Sequence, residues 1–406
     1  MRICMVAACP FPSRRGTPLR VERLAQALTE RGHEVEVVTY QIADAPGPMP
    51  FPVTRILDRE TYRRMVPGPN LEKLLLLDPL LAHKVWRRLR PGSFDLVHAH
   101  HYEGLITAWP GARRHGLPIV YDAHTMLKLE LPTYFSGPVR PLLQHLGRTL
   151  DRRLPAIADH ICAVTPEIRN RLVQAYGFDP AQISVVSNGV EIERFTAFPP
   201  GGTPGRLIYC GTLAPYQRVE LLLRAFALAR RTHPWLRLCL SVSSPPEPAL
   251  RVAQELEVAD AIEIVEDDFH QLPARLAGAA VAVLPRVHCD GIPQKLLNYM
   301  AAAKPTVAFA GSAKVLWHEE TGLIVRDADV EDFAAAIVRL VDSPEQAVRM
   351  GAAARAYVVA HHTWAGAAAR AEQAYVGLVG VGRERQLPSA RQLEISRRGV
   401  RGGAAR

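Results

Sequence analysis

Residues 284–305 read LPRVHCDGIPQKLLNYMAAAKP, and this stretch decides the fold. The apolar run Val281–Leu284 predicts a strand that ends here, and Asp290-Gly291 predicts the turn after it. We expect a helix to begin near Ile292, with Pro293 in its first turn, where the missing N–H costs least. The free N–H groups of a helix N-terminus bind anions such as phosphate. The stretch therefore predicts a strand–turn–helix unit with a ligand at the carboxyl end of the strand.

The same alternation of short apolar runs and helical segments continues along the chain, as is typical of parallel βαβ units. The candidate strands are Arg2–Ala8, Glu34–Tyr40, Phe94–His98, Pro118–Tyr121, His160–Val164 and Ile183–Val186 in the first half, and Leu207–Cys210, Leu236–Ser241, Ile262–Val265, Val281–Leu284, Thr306–Phe309 and Gly322–Val325 in the second. The pattern predicts an α/β protein with two Rossmann-like, doubly wound domains.

Domain boundaries follow from composition. Proline and glycine cluster at 196–205, which indicates a linker between a first domain, 1–195, and a second domain, 206–361. A helix at about 362–380 is expected to pack back on the first domain. The arginine-rich residues 381–406 have little periodic apolar content, so we expect a disordered basic tail.

Composition excludes several classes of function. The net charge is +9 over 406 residues, but the arginines are dispersed and aromatic residues make up only 7%, which argues against a nucleic-acid partner. The six cysteines show neither metal-site spacing nor the density of a disulfide scaffold, which favours the cytoplasm. Acidic small molecules and anionic membrane surfaces remain as partners.

The stretch Leu74–Arg90 has two interpretations. It combines a run of leucines with flanking arginines. A helix that packs on the core with a solvated basic end is favoured, and a helix on an anionic membrane surface is the alternative. The basic segment Arg140–Arg153 adds to the second interpretation, which predicts peripheral attachment at the inner face of the membrane.

Histidines end two neighbouring candidate strands of the first half. Alternation along a strand places His98 and His100 on one face and His101 on the other, and His124 ends the next strand. Histidine pairs bind zinc, but no third ligand stands at a motif spacing, so the pattern is inconclusive and we predict no metal. Each histidine taken alone also fits a structural role.

Seven blocks of sequence occur in the order found in glycosyltransferases of the GT-B fold, family 4, and the chain resembles that family from Arg2 to about Arg370. The blocks are ERGHEVEVVT, FDLVHAHHYEG, ADHICAVTPEIRNRLV, ISVVSNGVEIERF, IYCGTLAPYQRVELLLRAF, DGIPQKLLNYMAAAKPTVA and TGLIV. The resemblance implies two domains that face each other across a cleft. It also implies metal-independent, retaining transfer of a hexose-type sugar from a UDP- or GDP-linked donor to a glycan, lipid-linked or small-molecule acceptor, in polysaccharide or glycoconjugate biosynthesis and without a cofactor.

The resemblance also assigns roles to residues. Gly16 and Thr17 match a loop near the donor phosphates, and His100 matches the histidine of the catalytic region. The family's E-x7-E pattern falls on Asp290 and Asn298, which are expected at the transferred sugar and the ribose. The other expected donor-binding residues are Gly211, Thr212, Gln217, Gly291, Ile292, Pro293 and Gln294.

The chain departs from the family where the leaving diphosphate is neutralised. The family usually carries an arginine and a lysine at the positions of Thr212 and Gln217, and one electrostatic donor of this kind is worth about 3 kcal/mol. Compensation is expected from Arg218, Lys295 and Arg286. The predicted catalytic residues are therefore His100, Asp290, Arg218 and Lys295, with His124 and Arg286 as acceptor-side candidates.

The missing cations leave a second interpretation open: a GT-B protein of weak or no activity that binds a nucleotide or glycan as partner of another transferase. An epimerase or a phosphorylase of the same fold is less favoured. Epimerases lack this set of blocks, and the chain shows no cofactor-lysine signature of a phosphorylase.

Overall fold

The structure is a computed structural model that describes residues 1–13, 16–43, 49–57, 61–62, 68, 70–135, 137–195, 201–289 and 291–386. The chain forms two compact units. The first unit comprises Met1–Val186 and the chain from Ala368 onward, and the second comprises Ser187–Ala367.

The first unit is built on a seven-stranded sheet in the order β4-β2-β1-β6-β7-β8-β9, with every pair parallel. Its strands are β1 (Arg2–Ala7), β2 (Glu34–Thr39), β4 (Val53–Arg55), β6 (Leu96–His100), β7 (Ile119–Ala123), β8 (His160–Ala163) and β9 (Ile183–Val185), while β3 (Ile42–Ala43) and β5 (Thr61–Tyr62) pair separately. Strand β1 is an interior strand, and its residues Ile3–Ala7 are fully buried, as its continuous apolar run requires.

Helices connect the strands of the first unit. They are α1 (Gly16–Glu30), a π-helical segment (Lys73–Leu77) that continues as α2 (Asp78–Arg88), α3 (His101–Arg114), α4 (Leu127–Glu130), α5 (Arg140–Arg153) and α6 (Pro166–Tyr176). Short 3₁₀ turns span Leu131–Tyr134, Pro155–Ile157 and Pro180–Gln182.

The second unit has a six-stranded parallel sheet in the order β12-β11-β10-β13-β14-β15. The strands are β10 (Thr203–Gly211), β11 (Arg237–Val242), β12 (Ile262–Glu266), β13 (Ala279–Leu284), β14 (Thr306–Phe309) and β15 (Leu323–Val325). The helices are α7 (Val219–Thr232), α8 (Glu247–Glu255), α9 (Leu272–Gly278), α10 (Gln294–Ala301), α11 (Ala310–Ala313), α12 (Val330–Asp342) and α13 (Pro344–His361), with 3₁₀ turns at Ile192–Phe195, Pro215–Gln217 and Ala259–Ala261. Helix α14 (Trp364–Gln386) ends the described chain.

Both sheets reverse their strand order at the centre, between β1 and β6 in the first unit and between β10 and β13 in the second. All twelve predicted strands are present, and the α/β fold with two doubly wound sheets is confirmed. In such sheets, ligands bind outside the carboxyl ends of the strands at the point of reversal. The topology therefore locates one candidate site in each unit.

Several predicted boundaries differ from the structure. Strand β6 continues beyond His98 to His100, and β10 begins at Thr203, inside the predicted linker, of which 196–200 lie outside the described residues. Helix α10 begins at Gln294 instead of Ile292, because Pro293 keeps an extended backbone with ψ 123° and precedes the helix. Helix α14 continues through 381–386, which were expected to be disordered, and 387–406 lie outside the described residues.

Candidate functional site

The site in the first unit lies where β6 and β7 end, beside the point of reversal. Four polar side chains stand on these buried strands or directly after them: His98, His100, Asp122 and His124. His98, His100 and Asp122 are at most 1% exposed, which is costly for polar groups unless they are paired. We call these four residues, together with Arg20, the histidine site.

Asp122 is the centre of the histidine site. Arg20, on helix α1, donates from Nε to Asp122 Oδ2 and from Nη2 to Oδ1, both at 2.8 Å, and Nη2 also donates to Val186 O at 2.8 Å. Burial alone would raise the pKa of Asp122, but Arg20 and His124 hold it well below its usual range. Asp122 is therefore an anion in the interior of the unit.

The carboxylate of Asp122 fixes the orientation of two imidazoles. His100 Nδ1 lies 2.8 Å and His124 Nε2 lies 3.0 Å from Asp122 Oδ2, and Thr17 Oγ1 lies 3.3 Å from His124 Nδ1. Burial lowers the pKa of His100 to about 3, so its ring is neutral. A neutral ring beside a carboxylate carries its proton on Nδ1, which leaves Nε2 as a hydrogen-bond acceptor. Nε2 of His100 has no hydrogen-bond partner among the described residues.

His98 connects the site to the C-terminal helix. Its Nδ1 lies 2.6 Å from the hydroxyl of Tyr375 on α14, and its ring centroid lies 4.5 Å from that of His100. The two histidines thus share a face of β6, as predicted from strand alternation.

Within the described part of the chain, His98, His100 and Asp122 bring ligand atoms within 4.8 Å of one another, which is close enough for a metal ion. Both oxygens of Asp122 already accept hydrogen bonds from the Arg20 guanidinium. A divalent cation would meet that buried positive charge, so the arrangement fits an ion pair better than a metal centre.

The site in the second unit lies at the end of β10. Lys295, in the first turn of α10, directs Nζ to within 3.0 Å of the Tyr209 hydroxyl and donates to Gln217 Oε1 at 3.2 Å. Gly211 has φ 121°, and a Cβ atom there would lie 2.7 Å from Lys295 Nζ. Glycine at this position therefore permits the close approach of the ammonium group.

A second cation lies near Lys295. Arg286, which follows β13, places its guanidinium 5.0 Å from the ring centroid of Tyr216, and its Nε donates to His288 O at 2.5 Å. Burial lowers the pKa of Lys295 to about 7, and the positive charge of Arg286 adds to this effect. Bringing an anion to this place would relieve the repulsion between the two cations.

Two of the residues predicted to bind the donor carry a buried polar atom that has no hydrogen-bond partner among the described residues. They are Asn298 Oδ1, on a side chain that is 7% exposed, and Thr212 Oγ1. A buried acceptor without a partner costs about 1–3 kcal/mol, which a ligand hydroxyl can recover. Gln294 instead donates from Nε2 to Gly189 O at 2.9 Å, so its amide already has a structural partner.

The remaining predicted residues have varied surroundings. Arg218 adopts a left-handed backbone with φ 56°, is 42% exposed and places Nε 2.7 Å from Glu220 Oε1. Its charge is thus already paired at the surface. Gly291 accepts a hydrogen bond from Cys289 Sγ at 3.0 Å, Ile292 and Pro293 are buried, and Asp290 lies outside the described residues.

The sequence interpretation missed Arg20, Asp122 and Tyr209. Arg20 had a detectable signal, because it stands on the apolar face of α1 with Val21 and Leu24, where an unpaired charge is not tolerated. Asp122 had a similar signal, because it is a charged residue within an otherwise apolar buried strand. Tyr209 alternates with Leu207 along β10 as any core residue does, so nothing in the sequence distinguished it.

Comparison with known proteins matches both halves of the chain to glycosyltransferases. The model of Glycosyltransferase Family 4 matches residues 15–194, and that of Glycosyl transferases group 1 matches residues 204–343. The D-inositol 3-phosphate glycosyltransferase of Streptomyces coelicolor is 28% identical over 403 residues, which cover 90% of this chain and 87% of that protein. Its counterpart from Actinosynnema mirum is 29% identical and covers 81% and 84%.

Solved structures show the same fold. The sucrose-phosphate synthase of Thermosynechococcus elongatus superimposes with a TM-score of 0.77 at 19% identity, covering 94% of this chain and 99% of that chain. The Anabaena protein HepE in complex with UDP and glucose has a TM-score of 0.70 at 15% identity, covering 93% and 100%. The chain is therefore a glycosyltransferase of the GT-B fold, with a family 4 domain followed by a group 1 domain.

Proposed function

We propose that this glycosyltransferase moves a hexose-type sugar from a UDP- or GDP-linked donor to a hydroxyl of its acceptor, with retention of the anomeric configuration. In the second unit, Lys295 meets the diphosphate together with the N-terminus of α10, and Asn298 meets the ribose. Asp290 takes the transferred sugar, as the family pattern implies. In the first unit, His100 accepts a hydrogen bond from a sugar hydroxyl.

The observation that carries the proposal is the position of Lys295. Its Nζ lies 3.2 Å from the side chain of Gln217, the residue that replaces the family's usual lysine. The positive charge therefore stands on helix α10 instead of the 3₁₀ turn after β10, while remaining at the end of the same strand. A fixed cation on the leaving diphosphate is the main electrostatic requirement of a transferase that works without a metal.

The interpretation as an inactive binding protein rested on the missing cation pair. Arg286 and Lys295, which the diphosphate keeps protonated, supply positive charge at this place and so weaken its motivation. The family and the relatives are glycosyltransferases, which also favours activity.

A thermal-shift screen tests the proposal. UDP and GDP at about 100 times their dissociation constants stabilise a binding protein by about 2.7 kcal/mol. We expect one of them to raise the Tm, and Lys295→Met to abolish the shift, while Lys128→Met, at an exposed lysine, leaves it intact. The proposal is wrong if neither nucleotide shifts the Tm, or if the nucleotide sugar that binds is neither hydrolysed nor used for transfer. Transfer is also expected to persist in EDTA.

Retention has its own test. We expect the acceptor oxygen to attack C1 from the face that the diphosphate leaves, while an oxygen of the leaving phosphate takes the acceptor proton. NMR of the product reports the anomeric configuration directly. An inverted product would overturn this part of the proposal.

We further propose that the first unit meets an anionic membrane surface, where a lipid-linked acceptor would be found. Leu74, Leu75 and Leu76 are 65%, 69% and 53% exposed, although Leu77 and Leu81 of the same helical stretch are buried in the core. Each interpretation of this stretch therefore describes one of its faces: the buried leucines pack on the core, and the exposed leucines are available to a membrane. Helix α5 adds exposed Leu142 and Leu146 and four arginines, at 140, 148, 152 and 153, whose charge complements anionic lipids.

Among the described helices, none has the length and apolar character needed to traverse a membrane.

Co-sedimentation with vesicles tests the membrane surface. We expect binding to phosphatidylglycerol vesicles at low salt, weaker binding at high salt, and loss of binding when Leu74, Leu75 and Leu76 are changed to Ser. The control changes Val348 and Val359, which are 38% and 45% exposed in the second unit, to Ser. Equal binding by both variants, or no binding by the unaltered protein, would contradict the proposal.

A further inference from the structure

Four charged side chains gather beside the histidine site, and none of them has a role in the function proposed above. They are Lys73 in the π-helical segment, His101 and Glu103 at the start of α3, and Glu130 at the end of α4. Helices α3 and α4 follow the neighbouring strands β6 and β7, so the group lies at the carboxyl edge of the first sheet. We call these four residues the edge cluster.

The edge cluster alternates positive and negative charge. Lys73 Nζ contacts Glu103 Oε1, His101 Nδ1 lies 3.2 Å from Glu103 Oε2, and His101 Nε2 lies 3.5 Å from Glu130 Oε2. Burial alone would lower the pKa of His101, but the two glutamates raise it to about 9. The pKa of Glu130 is lowered to about 2 by His101 against the effect of burial. At neutral pH the two positive and two negative charges cancel.

The cluster is partly open to solvent. The side chains of Lys73, Glu103, His101 and Glu130 are 12%, 14%, 15% and 21% exposed. Part of each side chain is therefore accessible to a ligand, although His101 Nδ1 and Glu130 Oε2 are themselves buried. The low exposure strengthens each hydrogen bond that the accessible polar atoms would make to the ligand.

The backbone at His101 is unusual. Its φ is 63°, a left-handed conformation that costs a residue other than glycine of order 1 kcal/mol or more. This conformation separates the end of β6 from the start of α3 and places the imidazole between the two carboxylates. Strain of this kind is concentrated at ligand sites.

The edge cluster is continuous with the histidine site. The ring centroid of His124 lies 5.8 Å from that of His101 and 5.7 Å from that of His100. His100 is 1% exposed, and its Nε2 lacks a hydrogen-bond partner among the described residues. The edge cluster therefore lies one imidazole away from a site that keeps a buried acceptor for a ligand hydroxyl.

We propose that the edge cluster binds the reacting head group of the acceptor, and that this head group is a polyhydroxylated ring without a phosphate. The proposal rests on the transferase function above and names the substrate class of its first unit. The carboxylates of Glu103 and Glu130 accept hydrogen bonds from ring hydroxyls, and Lys73 donates to a ring oxygen. Both N–H groups of His101 face the two glutamates, so His101 holds the carboxylates in position.

The charges of the edge cluster argue against a phosphorylated ring. A phosphate dianion needs cations that are not already compensated, whereas Lys73 and His101 each lie against a glutamate. The phosphate would also meet the like charges of Glu103 and Glu130 at short range. The relatives from Streptomyces and Actinosynnema are named for D-inositol 3-phosphate, and this chain would differ from such an acceptor in the charge of the head group.

A panel of matched acceptors tests the proposal. The unaltered enzyme receives its nucleotide sugar together with myo-inositol, D-glucose or D-glucosamine, or with the monophosphate of each, and nucleotide release above donor hydrolysis is measured. We expect at least one unphosphorylated member to stimulate release, with a kcat/KM at least tenfold above that of its phosphate. Stimulation by the phosphates alone, equal use of both forms, or no stimulation by any member overturns the inference.

Variants separate binding from structural support. Glu103→Gln and Glu130→Gln keep the shape of the side chains, and we expect each to raise the KM for the acceptor about tenfold and leave the KM for the donor unchanged. Glu34→Gln, at an exposed position at the amino end of the same sheet, is the control. If the two variants lower the Tm and leave the acceptor KM unaltered, the cluster is only an ion network that joins the helices. Nucleotide binding by the second unit is read by thermal shift, so failure of the transferase proposal is recognised separately.

Discussion

Arg20 and Asp122 form a two-point ion pair in the interior of the first unit, with both hydrogen bonds at 2.8 Å and both side chains at most 1% exposed. The pair joins helix α1 to strand β7, although the two residues are 102 positions apart. The same carboxylate orients His100 and His124. The ion pair is therefore a structural support of the histidine site.

Neutralising Asp122 should be strongly destabilising. Asp122→Asn leaves the Arg20 charge buried without an anion, and breaking a buried pair in this way costs about 3–5 kcal/mol. Urea unfolding measures the loss. Asp95→Asn is the matched control, because Asp95 pairs with the 42% exposed Arg2 at 3.3 Å, and such surface pairs contribute at most about 1 kcal/mol. Equal losses of unfolding free energy in the two variants would show that the interior pair contributes no more to stability than the surface pair.

His100 should act as a neutral hydrogen-bond acceptor over the whole working range of pH. Because its pKa is lowered to about 3, we expect no inflection near pH 6.5 in kcat/KM that depends on His100. His100→Ala should lower kcat/KM about tenfold through the loss of one hydrogen bond in the transition state, whereas the exposed His145→Ala should have no effect. An inflection near pH 6.5 that disappears in His100→Ala would show that His100 titrates there, and would contradict the neutral ring assigned to it.

The sequence predicted the strands and the shared face of His98 and His100, because both follow from local periodicity. It could not predict the Arg20–Asp122 pair, which depends on how α1 packs on a sheet assembled from distant segments. Strand β4 (Val53–Arg55) was missed because three residues in a proline-rich stretch carry too little pattern. The sequence indicated Lys295 as a candidate cation. Its approach to Gln217 depends on the backbone conformation of Gly211, which cannot be read from the sequence.

Asn298 should contribute to nucleotide affinity rather than to stability. Its Oδ1 has no partner among the described residues, so Asn298→Ala removes an atom that only a ligand would satisfy. A single hydrogen bond of about 1 kcal/mol predicts a roughly fivefold rise in the Kd of the nucleotide, measured by calorimetry. The exposed Asn170→Ala is the control, and an unchanged Kd in Asn298→Ala would exclude the ribose contact.

His101 should make folding stability depend on pH. The folded protein raises its pKa from 6.5 to about 9, so the stabilisation is complete below pH 6.5 and is lost as the pH rises through 9. At 1.36 kcal/mol per unit of pKa, the loss amounts to about 3 kcal/mol. Unfolding by urea at pH 6 and pH 9.5 measures it. His101→Gln should flatten the difference between the two pH values, and an equally steep change in that variant would assign the effect to another group.

Lys295 should couple donor binding to the uptake of a proton. In the free protein its pKa is lowered to about 7 by burial and by Arg286, with Asp267 and Cys210 acting in the opposite direction. The diphosphate of a nucleotide sugar stabilises the protonated form, so above pH 7 the lysine must gain a proton on binding, and the affinity should fall by up to about tenfold per pH unit. UDP-glucose or GDP-mannose is the suitable probe, because the diphosphate of a nucleotide sugar does not titrate in this range.

Calorimetry in two buffers of different ionisation enthalpy measures the proton directly. We expect close to one proton to be taken up at pH 8 and almost none at pH 6. Lys295→Arg keeps its charge throughout, so its affinity should be independent of pH between 6 and 8.5. If the affinity of the unaltered protein is as independent of pH as that of Lys295→Arg, Lys295 is already protonated in the free protein. Burial beside Tyr209 and Gln217 then does not control its charge.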